Sequence, residues 1–109
     1  MMTTTDAAIA HEIPHPARDD LDLPSVLHAL SDPVRLEIVA GLADGAERAC
    51  GSFDVAVTKS TCTHHFRVLR EAGLIRQRQQ GTMRLNSLRR DDLEARFPGL
   101  LGTILKAAA

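Results

Sequence analysis

The chain has 109 residues, of which 44% are hydrophobic but only three aromatic, all phenylalanine, and its net charge is −1. This bounds it to one small domain with an aliphatic core, and apolar terminal helices in so small a body are expected to bury against a second copy, a homodimer. There is no apolar run of about 18 residues and no basic segment leading into an apolar stretch, and the two cysteines, Cys50 and Cys62, follow no disulfide or C-x-x-C pattern, so a cytoplasmic protein without a membrane span is expected.

Residues 1–22 mix threonine, alanine, proline and acids with no apolar period, which predicts a flexible arm ahead of a domain over 23–106. Leu23 to Leu30 reads as a short helix, with Pro24 tolerated in its first turn and Val26, Leu27 and Leu30 on one side. Asp32 then caps a second helix that starts at Pro33, carries the stripe Val34, Ile38, Val39 and Leu42, and ends by Asp44-Gly45. Between Glu47 and Val57 the pattern decides nothing between a helical turn and a loop, although the segment must carry the chain across to the next helix.

From Thr58 the chain reads as a helix that buries Cys62, Phe66, Leu69 and Ala72, with His65 beside them, and stops at Gly73. Its opposite face would hold Lys59, Ser60, Thr63, His64, Arg67 and Arg70, with no carboxylate before Glu71. Period-two alternation in Ile75–Gln79 and Met83–Asn86 predicts a hairpin turning at Gln80-Gly81-Thr82, apolar residues on one side and arginines largely on the other. Arg90 to Phe97 gives a further helix opened by Asp91, Asp92 and Glu94; after Pro98-Gly99, Leu100, Leu101, Ile104 and Leu105 form a last apolar stripe.

The small net charge hides a strong polarity along the chain. Residues 1–58 carry 3 basic and 10 acidic side chains, residues 59–90 carry 8 basic and 1 acidic, and the rest 2 basic and 3 acidic. The basic block coincides with the polar-faced helix and the hairpin, and phosphate attraction depends on local rather than total charge. A mainly α fold with a two-stranded β-wing follows: a winged helix-turn-helix whose order of parts suits DNA.

Two segments carry a resemblance to the ArsR-type winged-helix regulators of bacteria. Leu30-Ser31-Asp32-Pro33-Val34-Arg35-Leu36-Glu37-Ile38 is similar to the family's L-x-D-P-x-R-x-x-I-L. The stretch from Ser60 through Thr61, Cys62, Thr63, His64, His65 and Phe66 to Ala72-Gly73-Leu74-Ile75 is similar to its S-T-V-S-H-H-L-x-x-L-x-x-A-G-L-V. The resemblance covers about Leu27 to Leu105 and implies a sequence-specific repressor, a homodimer joined through its first and last helices on a partly palindromic operator. The chain departs from the metal-sensing members: only Cys50 stands where many carry Cys-x-Cys, and the helix from Arg90 has no histidine. Their metal sites do not carry over.

Lys59, Ser60, Thr61, Thr63 and His64 are the candidate contacts near the helix start, Arg67 and Arg70 further along it, and Arg76, Arg78 and Arg84 the candidate backbone or minor-groove contacts of the hairpin. His65 is expected to pack inward, Cys62 to fill core space, and Cys50 to sit partly buried in the connector. No cofactor is required. His11 and His15, with Glu12 between them, suit nickel or zinc, with His28 or Asp91, Asp92 and Glu94 as completing ligands; against this, two ligands rarely select a metal and Pro14 breaks a helix, so a solvated arm carries more weight. The alternatives to a plain DNA-binding dimer are thus a metal-responsive regulator and a winged-helix adapter that meets an acidic protein partner or co-regulator. An enzyme is not expected, because no phosphate loop, paired carboxylates or Ser/His/Asp spacing is present.

Overall fold

The computed structural model of the chain describes residues 11–53 and 58–108. In order, these form β1 (His11–Glu12), a 3-10 turn (Arg18–Asp20), α1 (Leu23–Leu30), α2 (Pro33–Gly41), β2 (Arg48–Ala49), a second 3-10 turn (Cys50–Ser52), α3 (Lys59–Glu71), β3 (Ile75–Gln80), β4 (Met83–Leu88), α4 (Arg90–Arg96) and α5 (Leu100–Ala108). The architecture is a winged helix-turn-helix, mainly helical with an antiparallel wing. None of the described helices is long and apolar enough to cross a membrane.

Each helix of the helix-turn-helix begins where a side chain can satisfy its free N–H groups. Asp22 accepts from the Ser25 N–H at 2.9 Å, Asp32 from Val34 at 2.8 Å and Arg35 at 3.1 Å, and Thr58 from Thr61 at 3.2 Å. Burial pushes the Asp32 carboxyl up, but the N–H groups of Arg35 and Val34 and the adjacent positive charge outweigh it and hold the group below its ordinary value. At the far end of α3, Gly73 takes φ +89°, its N–H donating to the Arg70 carbonyl at 3.0 Å and the Leu74 N–H to the Leu69 carbonyl at 2.9 Å. A Cβ there would lie 2.0 Å from Leu21 Cδ2, so both backbone and packing require glycine.

The three helices converge on one aliphatic core. Ala29, Ile38, Val39, Leu42, Leu69, Leu74 and Ile75 are fully buried, joined by Val26, Phe66, Leu93 and Leu101 at 1–3% exposure. Phe66, against whose ring Phe53 packs at a centroid distance of 5.4 Å, is the largest of these and contributes roughly 1.5–3 kcal/mol by burial. On α1 the expected stripe needs correcting: Val26, Ala29 and Leu30 face inward, whereas Leu27 is 44% exposed and Leu23, one turn before it, 41%. The helix is too short for a wide apolar face to close wholly on this core, and two leucines are left outward.

The sheet is larger than the expected two-stranded wing. Its order is β1-β3-β4-β2, because two-residue strands flank the β3–β4 hairpin: His11 pairs with Gln79 and Glu12 with Arg78 on one edge, Arg48 with Asn86 and Ala49 with Leu85 on the other. The flexible arm expected over 1–22 is likewise corrected over its described part. Beyond the β1 pairing, the Ile13 N–H donates to the Gln77 carbonyl at 2.9 Å, Arg18 pairs with Asp92 at 2.7 Å, and Leu21 is 2% exposed. Residues 1–10 of that arm lie outside the described residues. Backbone pairing at a sheet edge needs no side-chain period, which is why no pattern announced it.

Candidate nucleic-acid interface

Helix α3 presents its polar side to solvent as its spacing dictates. Lys59, Ser60, Thr61, Thr63, His64 and Arg67 are exposed, while His65, Phe66 and Leu69 are buried and Cys62 and Ala72 half-buried. Thr63 Oγ1 donates to the Lys59 carbonyl at 3.0 Å, and Thr58 Oγ1 to Thr61 Oγ1 at 2.8 Å, which orders the hydroxyls around the first turn. The positive end of the helix dipole favours an anion at this end.

His65 turns inward onto a partner that the sequence did not announce. Arg35 of α2, 8% exposed, places Nη1 3.1 Å from His65 Nδ1 and donates through Nε to the Ala29 carbonyl at 2.6 Å and through Nη2 to the His28 carbonyl at 3.4 Å. One guanidinium thereby ties the end of α1 to the middle of α3 and fixes the crossing of the helix-turn-helix. Its apolar neighbours gave no hint that Arg35 would be buried; the only signal was its place three residues after the Asp32 cap.

Arg70 departs from the expected outward face. Its side chain is only 13% exposed, Nη1 donates to Gln77 Oε1 at 2.7 Å, and Nε has no partner among the described residues. Gln77 passes the connection on, donating at 2.7 Å to Asn86 Oδ1, and Asn86 donates to the Arg48 carbonyl at 3.1 Å and to Cys50 Sγ at 3.3 Å. Gln77 and Asn86 are essentially inaccessible, so this chain of amides sets the angle between α3, the wing and β2. Arg70 is close enough to the wing to be used there, which removes it from the open surface.

The hairpin arginines divide by strand parity. Antiparallel partners share a face, and Ile75 with Leu88, Gln77 with Asn86 and Gln79 with Arg84 form the face turned to α3. Arg84 is exposed there, Nε 3.4 Å from Gln79 Oε1. Arg76 and Arg78 project from the other face and are held by carboxylates: Arg76 by Asp92 at 3.0 Å and Glu12 at 4.0 Å, Arg78 by both oxygens of Glu47 at 2.7 Å. The expected placement of all three on one side of the hairpin, opposite the apolar residues, is therefore corrected: Arg84 lies on one face and Arg76 and Arg78 on the other. Among the described residues, Lys59, Arg67 and Arg84 are the cations of α3 and the wing with no acidic partner.

The arginine cluster behind the sheet is structural. Asp92, 6% exposed, receives Arg18 at 2.7 Å, Arg89 at 2.9 Å and Arg76 at 3.0 Å. Burial pushes its carboxyl up, but the hydrogen bonds from Arg18 and Arg89 and the charges of Arg89 and Arg76 together hold it below its ordinary value. For Glu47, the Arg78 hydrogen bond does the same against a smaller burial effect. Asp92 is thus engaged and is no spare metal ligand.

Among the described residues no three His, Cys, Asp or Glu side chains come together as a metal site. His15 Nδ1 is 3.2 Å from the Ile13 carbonyl, and Glu94 accepts from the Gly99 N–H at 3.2 Å. Both thiols are half-buried, and burial, then the proximity of Cys50, pushes the Cys62 thiol up, which makes it a poor nucleophile.

Comparison with known proteins agrees with this geometry. Residues 30–78, from the end of α1 through most of β3, match a family described as a helix-turn-helix domain. The chain is 37% identical over 89 residues to the uncharacterized HTH-type transcriptional regulator YceK of Bacillus subtilis (strain 168), covering 79% of this chain and 89% of that protein. Its fold is similar to that of the transcriptional repressor BigR from Xylella fastidiosa, with a TM-score of 0.57 and 24% identity over 75% of this chain and 97% of the other. A helix-turn-helix with an exposed cation and hydroxyl face, in a chain 37% identical to such a relative over 89% of that relative's length, places the protein among the DNA-binding helix-turn-helix transcriptional regulators.

Proposed function

We propose that the protein is a cytoplasmic ArsR-type repressor that binds a partly palindromic operator as a homodimer. The observation that carries this reading is the open side of α3, where Lys59, Ser60, Thr61, Thr63, His64 and Arg67 stand exposed with Arg84 of the wing beside them. In this reading α3 enters the major groove, its first-turn hydroxyls and Arg67 meet base edges and phosphates, and Lys59 and Arg84 hold backbone on either side. The pairing of subunits uses α1 and α5, supported by outward Leu23 and Leu27 and by half-buried Leu100, Ile104 and Leu105. Two such subunits would present their helices about 34–36 Å apart, one turn of duplex.

Selection of bound sequences from a random duplex pool tests the reading. A palindrome with one-turn half-site spacing is the expected product, and no enrichment even at low salt rejects it. A nickel- or zinc-responsive version rests on His11 and His15 alone. Titrating either ion into the wild type and a His11→Ala/His15→Ala variant decides it, equal affinity in the two removing the arm from consideration. An adapter that binds an acidic protein would show duplex affinity indifferent to Arg67→Ala and Arg84→Ala.

A further inference from the structure

We propose that the cleft between α3 and the wing binds a small organic anion with a flat apolar body, of the aryl carboxylate class, and that ligand and DNA exclude one another there. The exclusion rests on the DNA reading above; the binding site does not. The cleft has a volume of about 420 Å³, within the range that small-molecule sites occupy. Phe66, only 1% exposed overall, Ala49 and Cys50 contribute to its lining. Lys59 lines it from the helix and Arg84 from the hairpin, each without an acidic partner among the described residues, and among those residues no Asp or Glu lines it.

This combination fits an amphipathic anion better than either of its halves. A phosphodiester strand would use the two cations but gains nothing from an apolar lining, and a neutral apolar molecule would leave both charges unused. The cavity beside Asp92 lacks this character, because its Arg18 and Arg76 already face that carboxylate. Bound between α3 and the wing, an aryl carboxylate would occupy Lys59 and Arg84 and so release the duplex.

Naphthoate is the probe, with naphthalenemethanol as its neutral counterpart and inorganic phosphate as the bare anion, each titrated into the full chain and followed by NMR shifts. Naphthoate should saturate at one molecule per chain, with each control at least about tenfold weaker, as a charge-assisted hydrogen bond implies. Lys59→Gln/Arg84→Gln should weaken it by a similar factor. Gly51→Leu should block it: Gly51 lines the cleft, and a Cβ there meets nothing within 4 Å, so the variant is expected to fold, which circular dichroism verifies. Equal affinity for the neutral counterpart, or unchanged binding in both variants, overturns the proposal, as does the lack of saturation. Saturating naphthoate should weaken duplex binding, and duplex should weaken naphthoate by the same factor. A chain that binds duplex but not naphthoate defeats the inference and leaves the DNA reading standing; one that binds naphthoate but no duplex at low salt defeats the DNA reading and with it the exclusion, while supporting the site.

Discussion

The two faces of the wing use one residue type for opposite purposes. Toward α3, Arg84 stands exposed beside Lys59 and Arg67; on the reverse, Arg76 and Arg78 are clasped by Asp92, Glu12 and Glu47. Neighbouring residues on a strand point to opposite sides, so a run of arginines in sequence is not a run in space. Local charge in the sequence located the basic segment, but the acids that pair with Arg76, Arg78 and Arg89 come from β1, the loop before β2 and α4. In the proposed reading, duplex affinity falls to the front and fold stability to the back.

The largest test of that division is Asp92→Ala. It strands Arg89, 2% exposed, without its anion, and a loss of about 3–5 kcal/mol in denaturant unfolding at fixed protein concentration is expected. Next comes Arg67→Ala/Arg84→Ala, for which anisotropy should report a loss of duplex affinity of about a hundredfold and a shallower salt dependence, by roughly two in log–log slope, with stability nearly unchanged. Smaller again is a pH effect. Because the Asp92 carboxyl lies below its ordinary value of 3.8 in the fold, its contribution is present in full above that value and is lost as pH falls through the folded one. Between about pH 5 and about pH 3 the wild type should lose more stability than Asp92→Asn. The smallest effect belongs to Arg78→Ala, whose pair with Glu47 is about one third exposed on both sides: under about 1 kcal/mol in stability and under about twofold in duplex affinity. An Arg78→Ala loss equal to that of Arg84→Ala would break the comparison.

Much of the helical frame was legible because local chemistry decides it. The Asp32-Pro33 start of α2, the glycine stop of α3 and the inward turn of His65 against outward His64 all follow from capping or from the 100° step between helical neighbours. What escaped the sequence was set by distant partners. Arg70 looked like a surface cation until Gln77 came within reach, Leu27 looked buried until α1 met a core already filled by Ala29, and Asp92 looked like a dipole carboxylate until three guanidinium groups met it. On the candidate interface, therefore, the exposed positions of α3 from Lys59 to Arg67 were readable from spacing, whereas the facing of the wing arginines needed the register of β3 against β4.

The two flanking strands have a consequence for how copies of this protein meet. A bare hairpin offers its outer N–H and C=O groups to any passing strand, but here Gln77 to Gln79 on one border and Leu85 to Asn86 on the other are already paired by described flanking segments. Strand addition over those stretches is thereby blocked, and in the proposed dimer recognition falls to the side chains of the helices, where geometry rather than backbone stickiness selects the match.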